Sequence, residues 1–222
     1  MALLPLFPLN TVLFPGIPIS LHIFEERYKL MINRCLDAQS PFGIVLLQSG
    51  SEVQGAGPTP RPYLIGCTAH IAQVQRLSMG RMNLIAIGGE RFQVSEFNYT
   101  EPYLLGQVNY LSLSGTSSTK LSAMGTALQQ QVGRYLTAIA KVENISFDDE
   151  QLPSDPVQLA YLAASLARIP MPEKQKLLAI NDAELLVQAV LTLYRKELVV
   201  LQILLSQSAP ASETQPGVFS AN

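Results

Sequence analysis

The chain has 222 residues, 48% of them hydrophobic and 14% charged, with 15 lysines and arginines against 17 aspartates and glutamates. A formal charge of −2 supplies no broad basic field for nucleic acid, and so low a charged fraction describes a folded chain with a weakly charged surface. The length is enough for one large domain or two small ones with a substantial core.

Pro5, Pro8, Pro15 and Pro18 exclude a helix in the opening stretch, because each removes a backbone donor and biases its predecessor toward extended geometry. Ile19, Leu21 and Ile23 then alternate with Ser20, His22 and Phe24, which predicts a strand with one buried face. From Glu25 the period becomes helical, with Tyr28, Leu30, Met31 and Cys35 expected inside and Glu26, Arg27, Lys29, Asn33 and Arg34 expected on the outer face. Glu25 and Glu26 suit the first turn, where the helix dipole favours negative charge.

Gly43 to Gln48 is an apolar run of strand length, and the Gly- and Pro-rich stretch from Ser49 to Pro62 reads as a loop. In the next strand Ile65, Cys67, Ala69 and Ile71 share a parity that Val74 breaks, so a bulge is expected near Ala72 or Gln73. Met79-Gly80 and Gly88-Gly89 read as turns flanking Met82–Ile87 and leading to Phe92–Phe97, and Tyr103 to Tyr110 supplies a last strand. Strands in this order with a single helix predict an antiparallel meander bent into a partial barrel.

Ser, Thr and Gly dominate Leu111 to Thr119, beyond which helices take over. Leu121, Met124, Leu128, Val132, Tyr135, Leu136 and Ile139 mark an amphipathic helix. Asp155-Pro156 is an N-cap followed by Pro at the first helical position, for a helix running to about Arg168. Pro170 and Pro172 stop it and start a short one, Glu173 to Ile180, and Asn181 or Asp182 caps a long final helix. The expected organisation is α+β: a β-rich unit at 1–112, a helical unit at 120–206 and a disordered tail at 207–222.

Motifs for chemistry are missing. GxxxxGK[ST] and GxGxxG do not occur, nor do HExxH or CxxC. His22 and His70 are the only histidine bases, and both fall within strand patterns. Cys35 and Cys67 read as buried free thiols, and Asp148, Asp149 and Glu150 as a solvated acidic run. No catalytic residue, metal or cofactor is therefore expected. Leu185 to Leu205 approaches the length of a bilayer span, but Arg195, Lys196 and Glu197 in its middle favour a packed helix. Without a basic leader, the chain reads as cytoplasmic.

The strings LPLFPLNTVLFPG, LHIFEERYKLMINRCLD and FGIVLL, followed by IGCTAHIAQV, GGERFQV and LAASLARIPMPEKQKLLAI, resemble in order the amino-terminal, substrate-binding domain of the ATP-dependent Lon proteases. The resemblance covers residues 3 to 205. It implies a PUA-like bent sheet or partial barrel followed by a helical bundle, and a module that binds polypeptide. It also implies that the ATPase and the serine–lysine peptidase of those enzymes lie in separate modules, for which this length leaves no room. One departure stands out: Met79 occupies a turn position that is usually acidic in the family. The reading is a non-catalytic binding protein, an adaptor or regulator in protein quality control. Its expected partners are unfolded segments or a protease or chaperone. Glu26, Arg27, Lys29, Asn33 and Arg34 are the candidate contact residues, and the apolar final helix is a candidate for self-association. A small-ligand or RNA-binding PUA-like module, or a residual peptidase, are the alternatives.

Overall fold

Two strands far longer than the usual ~5–6 residues organise the molecule. The computed structural model describes residues 2–49, 61–143 and 152–208. The acidic run Asp148–Glu150, most of the loop expected between Ser49 and Pro62, and most of the tail from 207 lie outside these residues. Six strands form one sheet: β1 (Ala2–Leu9), β2 (Pro18–Ile23), β3 (Phe42–Ser49), β4 (Arg61–Arg76), β5 (Met82–Asn98) and β6 (Leu104–Leu111). Their order is β2-β5-β4-β3-β1-β6, and β5 also pairs with β6, so five strands close into a ring while β2 hangs outside it. All neighbours are antiparallel except β1 and β3, which run parallel.

Such curvature requires local breaks in the ladder. The register of β4 on β5 shifts between Ile71 and Gln73, at the expected bulge, and again between Cys67 and Ala69. Gly88-Gly89, expected as a turn, instead lies inside the continuous strand β5. The reason is space. A Cβ on Gly88 would sit 2.1 Å from the Phe14 carbonyl oxygen, and one on Gly89 would strike His70 and Thr68 at 2.6 Å. The glycines let a crossing segment and a neighbouring strand approach, and the true reversal between β4 and β5 is a single helical turn at Ser78–Gly80.

The helices are α1 (Glu26–Asp37), α2 (Thr119–Glu143), α3 (Pro156–Leu166), α4 (Met171–Leu178) and α5 (Ala183–Ser208). In α1 the buried side chains are Tyr28, Met31, Ile32 and Cys35, spaced i, i+3, i+4 and i+7 on one stripe. Leu30, expected inside, is 38% exposed. It stands two residues from both Tyr28 and Ile32, about 200° around the helix from each. Asp155 caps α3 by accepting from the Gln158 N–H at 2.8 Å, and Asp182 caps α5 through the Leu185 N–H at 3.0 Å.

Burial divides between the sheet and the helices. Leu4, Leu6, Val45, Phe92, Val94 and Val108 fill one end of the barrel, and α1 closes the other over Ile23, Phe42 and Leu84. Leu159, Val187, Val190 and Tyr194 belong to a separate helical core. The segment between β1 and β2 joins the two, because Leu13 packs in the sheet core and Phe14 in the helical one. Arg91 completes the attachment. Only 2% exposed, it donates to the carbonyls of Leu178 (2.9 Å), Ile180 and Ser112 (3.2 Å). A buried guanidinium serves the last carbonyls of α4, which otherwise lack donors. The Arg91→Met variant leaves those carbonyls unpaired and loses about 3 kcal/mol of stability. Urea unfolding checks this, with Arg34→Met as a control whose midpoint stays near that of the parent.

Candidate functional site

Strand β2 and the first half of β5 have an inner face on which Ile23, Met82, Leu84 and Ala86 are buried in the core beneath α1, with Ile19 and Leu21 half-buried against it. Their outer face is set by the same alternation. The register places His22 beside Asn83 and Asn83 beside Gln75, Ser20 beside Ile85 and Ile85 beside Gln73, and Pro18 beside Ile87 and Ile87 beside His70. Three rows of three residues thus cross β2, β5 and β4. In the first row His22 Nδ1 lies 2.7 Å from Asn83 Oδ1, and Asn83 Nδ2 donates to Gln75 Oε1 at 3.4 Å. Phe24 stacks on His22 with ring centres 5.9 Å apart.

Apolar side chains lie on this outer face. Ile85 is 39% exposed and Ile87 43%, although an outward position on a one-sided sheet usually carries a polar residue. A cleft of about 390 Å³ opens here, lined by Ser20, His22, Gln73, Gln75, Asn83 and Ile85. A second of about 220 Å³ runs along the other side of β2, between it and Phe7, Leu9 and Tyr28. The two share Ser20, Leu21 and His22.

The five residues expected on the outer face of α1 all make contacts within the chain. Arg27 pairs with Glu25 at 2.9 Å and lies 4.3 Å over the Tyr28 ring. Lys29 bonds both Glu26 (2.7 Å) and the Met79 carbonyl (2.8 Å). Asn33 donates to the Lys29 carbonyl at 2.8 Å and accepts from Arg76 at 3.2 Å. Arg34 reaches the Tyr103 hydroxyl (2.8 Å) and Glu101 (2.9 Å), which in that order raise its pKa. These bonds tie α1 to the β4–β5 turn and the β5–β6 connection. The unusual turn is held there too: Met79 has φ 60° and is 84% exposed, while its carbonyl is anchored by Lys29.

Sequence reasoning did not select Gln73, Gln75, Asn83, Ile85 or Ile87. A signal for the last two was present in NLIAI, where apolar residues fall on both strand parities. Such a pattern belongs to a strand covered on both faces or to one whose second face binds something.

His22 is held by the Asn83 amide, but among the described residues no hydroxyl or thiol is hydrogen-bonded to its ring, so the nucleophile–base pair of covalent catalysis is not formed at this face. Among the described residues no three His, Cys, Asp or Glu stand together as metal ligands, and no helix is long and apolar enough to cross a membrane. The cysteines are buried. Burial pushes the Cys67 thiol up to about 12, against smaller opposing effects of the Gly89 backbone and Arg91.

A model of the ATP-dependent protease La (LON) substrate-binding domain matches residues 3–196. Lon protease 2 of Herpetosiphon aurantiacus is 27% identical over 205 residues, 90% of this chain and 24% of that protein. Lon protease 1 of the same organism is 30% identical over 210 residues, 91% of this chain and 25% of that protein. The chain therefore spans about a quarter of the length of these curated relatives. Among solved structures, a Lon N-terminal domain protein from Xanthomonas campestris superposes with a TM-score of 0.63 at 22% identity, covering 86% of this chain and 98% of the other. The N-terminal domain of a Mycobacterium avium complex Lon protease gives 0.67 at 17% identity, covering 87% and 98%. These two likenesses establish the α+β fold.

The raised Cys67 value has a measurable consequence. Because the folded state holds this proton more tightly than the unfolded chain, its effect on stability is constant below the ordinary thiol value of 9.0 and declines as the pH rises from there toward about 12. At about pH 8 a thiol reagent labels Cys67 no faster than the native state opens, because the buried group is not a thiolate. Urea midpoints measured across this pH range, parent against Cys67→Ala, check the first statement, and stopped labelling followed by mass spectrometry the second.

Proposed function

We propose that this chain, which belongs to the ATP-dependent protease La (LON) substrate-binding domain family, is a non-catalytic binding protein for unfolded polypeptide segments. The observation that carries the reading is the outer face of β2, β5 and β4, where Ile85 and Ile87 are exposed beside a cleft of about 390 Å³. Unfolded segments differ from folded surfaces in displaying apolar side chains and unpaired main-chain groups. A face combining exposed isoleucines with a border of Ser20, Gln73, Gln75 and Asn83 accepts both without requiring one sequence. Similarity to Lon proteases supports a role connected with proteolysis, and we place the chain as an adaptor or regulator that delivers or holds such segments. In this division of labour the β-rich unit, 1–112, contacts the ligand and the helical unit, 120–206, braces it.

The α1 residues Glu26, Arg27, Lys29, Asn33 and Arg34 enter this proposal in a secondary role. Their contacts within the chain keep α1 seated beneath the binding face, and contact with a ligand falls first to the side chains of β2 and β5. The two assignments separate experimentally. The Ile85→Ser/Ile87→Ser double variant weakens binding of a reduced, carboxymethylated protein about tenfold or more, with an unfolding midpoint close to that of the parent. The Glu26→Gln variant leaves affinity unchanged. Fluorescence anisotropy with the labelled unfolded protein reads both. No binding by the parent chain, or equal binding by the double variant, contradicts the proposal.

A further inference from the structure

The outer edge of β2 is unpaired. A strand offers main-chain groups on two edges, and every strand of the ring uses both over at least part of its length, whereas β2 has β5 as its single neighbour. Which β2 groups face outward follows from the ladder. The Gly88 N–H donates to the Ile17 carbonyl at 2.9 Å, so the alternation of an antiparallel pair assigns the main-chain groups of Ile19, Leu21 and Ile23 to β5. Pro18, which has no N–H, falls in the complementary set, as it must. The N–H groups of Ser20 and His22 therefore point away from the sheet, and among the described residues neither bonds anywhere outside the β2–β5 ladder.

Edges of this kind are normally blocked by a lysine, a proline, a bulge or a covering segment. Pro18 blunts only the first outward position; from there the β2–β5 register runs to Ile23 without a break, and PISLHI carries no lysine or carboxylate. Beside the edge lies the cavity of about 220 Å³, walled on its far side by Phe7 and Leu9 of β1 and by Tyr28. The residues of β1 in that wall pair with β3 but not with β6, whose register with β1 ends at Leu6. The barrel wall thus has a slit at this end, with an open edge on one side and apolar side chains at its base.

We propose that β2 binds an extended polypeptide by strand addition, in which the ligand's main chain pairs with Ser20 and His22 and every second ligand side chain, apolar, enters the slit. The inference rests on the polypeptide-binding reading above and specifies its geometry. The repeat of donors and acceptors along β2 is complementary to one kind of partner, another chain in extended conformation.

The test uses the intact chain and a carboxy-amidated heptapeptide alternating threonine and valine, with a dye acylating its amino terminus and binding followed by the anisotropy of that dye. Methylating the peptide nitrogens of every second residue removes main-chain donors while keeping the side chains. One of the two alternating sets of methylations lowers affinity about tenfold or more, and the other set leaves it within about twofold. The Ser20→Pro variant, which deletes an outward N–H at an edge position where proline is tolerated, lowers affinity for the unmodified peptide to a similar extent. Should that variant fail to fold, the methylated peptides decide alone. Equal affinity of all peptide forms overturns strand addition while the unfolded-protein assay still supports polypeptide binding. A dimer of the chain that dissociates in Ser20→Pro also overturns it, since the edge then serves a second copy. If neither peptide nor unfolded protein binds, the underlying reading fails as well.

Discussion

Strand β5 has one edge and two neighbours to place along it. Its opposite edge is occupied by β4 from Ile65 to Arg76, so Met82–Ile87 pairs with β2 and Arg91–Asn98 with β6 on the remaining side. Since β6 goes on to pair with β1, the ring closes through it. Strand β2, in line with β6 rather than beside it, is left with a free flank. The open edge and both clefts that share β2 follow from this arrangement of hydrogen bonds, which leaves β2 without a second neighbour among the strands of the sheet.

The changeover between the two neighbours is held by two features of the same short stretch. Gly88 allows the segment carrying Phe14 to pass at a distance no side chain would permit, and this segment sends Leu13 and Phe14 into different cores. Three residues on, Arg91 reaches out of the sheet to the end of α4. The helical unit is therefore fastened where β5 exchanges one partner for the other. Further support comes from Gln175, which donates to the Ile65 carbonyl at 2.9 Å, and from Gly16, whose φ of 77° brings it against Gln158. A rigid brace behind the changeover favours binding at the face in front of it, because little order is then lost when a ligand arrives.

Much of this was legible in the residues. The proline spacing, the alternation around Ile19–Phe24, the parity break before Val74 and the Asp155-Pro156 cap each act through neighbours in sequence, and each gave the correct element. The errors came from contacts between distant segments. Gly88-Gly89 has the composition of a turn, and only the crossing of residue 14 explains why it is strand. Arg91 drew no reading from the sequence, because the carbonyls it serves belong to the end of α4, some eighty residues later. The intrachain partners of the charged residues of α1 were likewise not legible, because a single sequence does not disclose that Met79, Arg76, Glu101 and Tyr103 lie within reach of them. Ile85 and Ile87 were overlooked for the opposite reason: an apolar run is ordinarily assigned to a core, and exposure becomes visible only once the sheet is assembled.

On the proposed reading, the open face of β2, β5 and β4 recognises chains that lack structure of their own. Main-chain amide hydrogen exchange, resolved to single residues by NMR, tests the site most directly. With a saturating unfolded polypeptide present, the account predicts slower exchange at Ser20 and His22, with smaller changes across Met82–Ile87 and none along α1 or the exposed end of α5 around Val199 and Ile203. Protection confined to α1 or α5, with Ser20 and His22 exchanging as in the free protein, would contradict it.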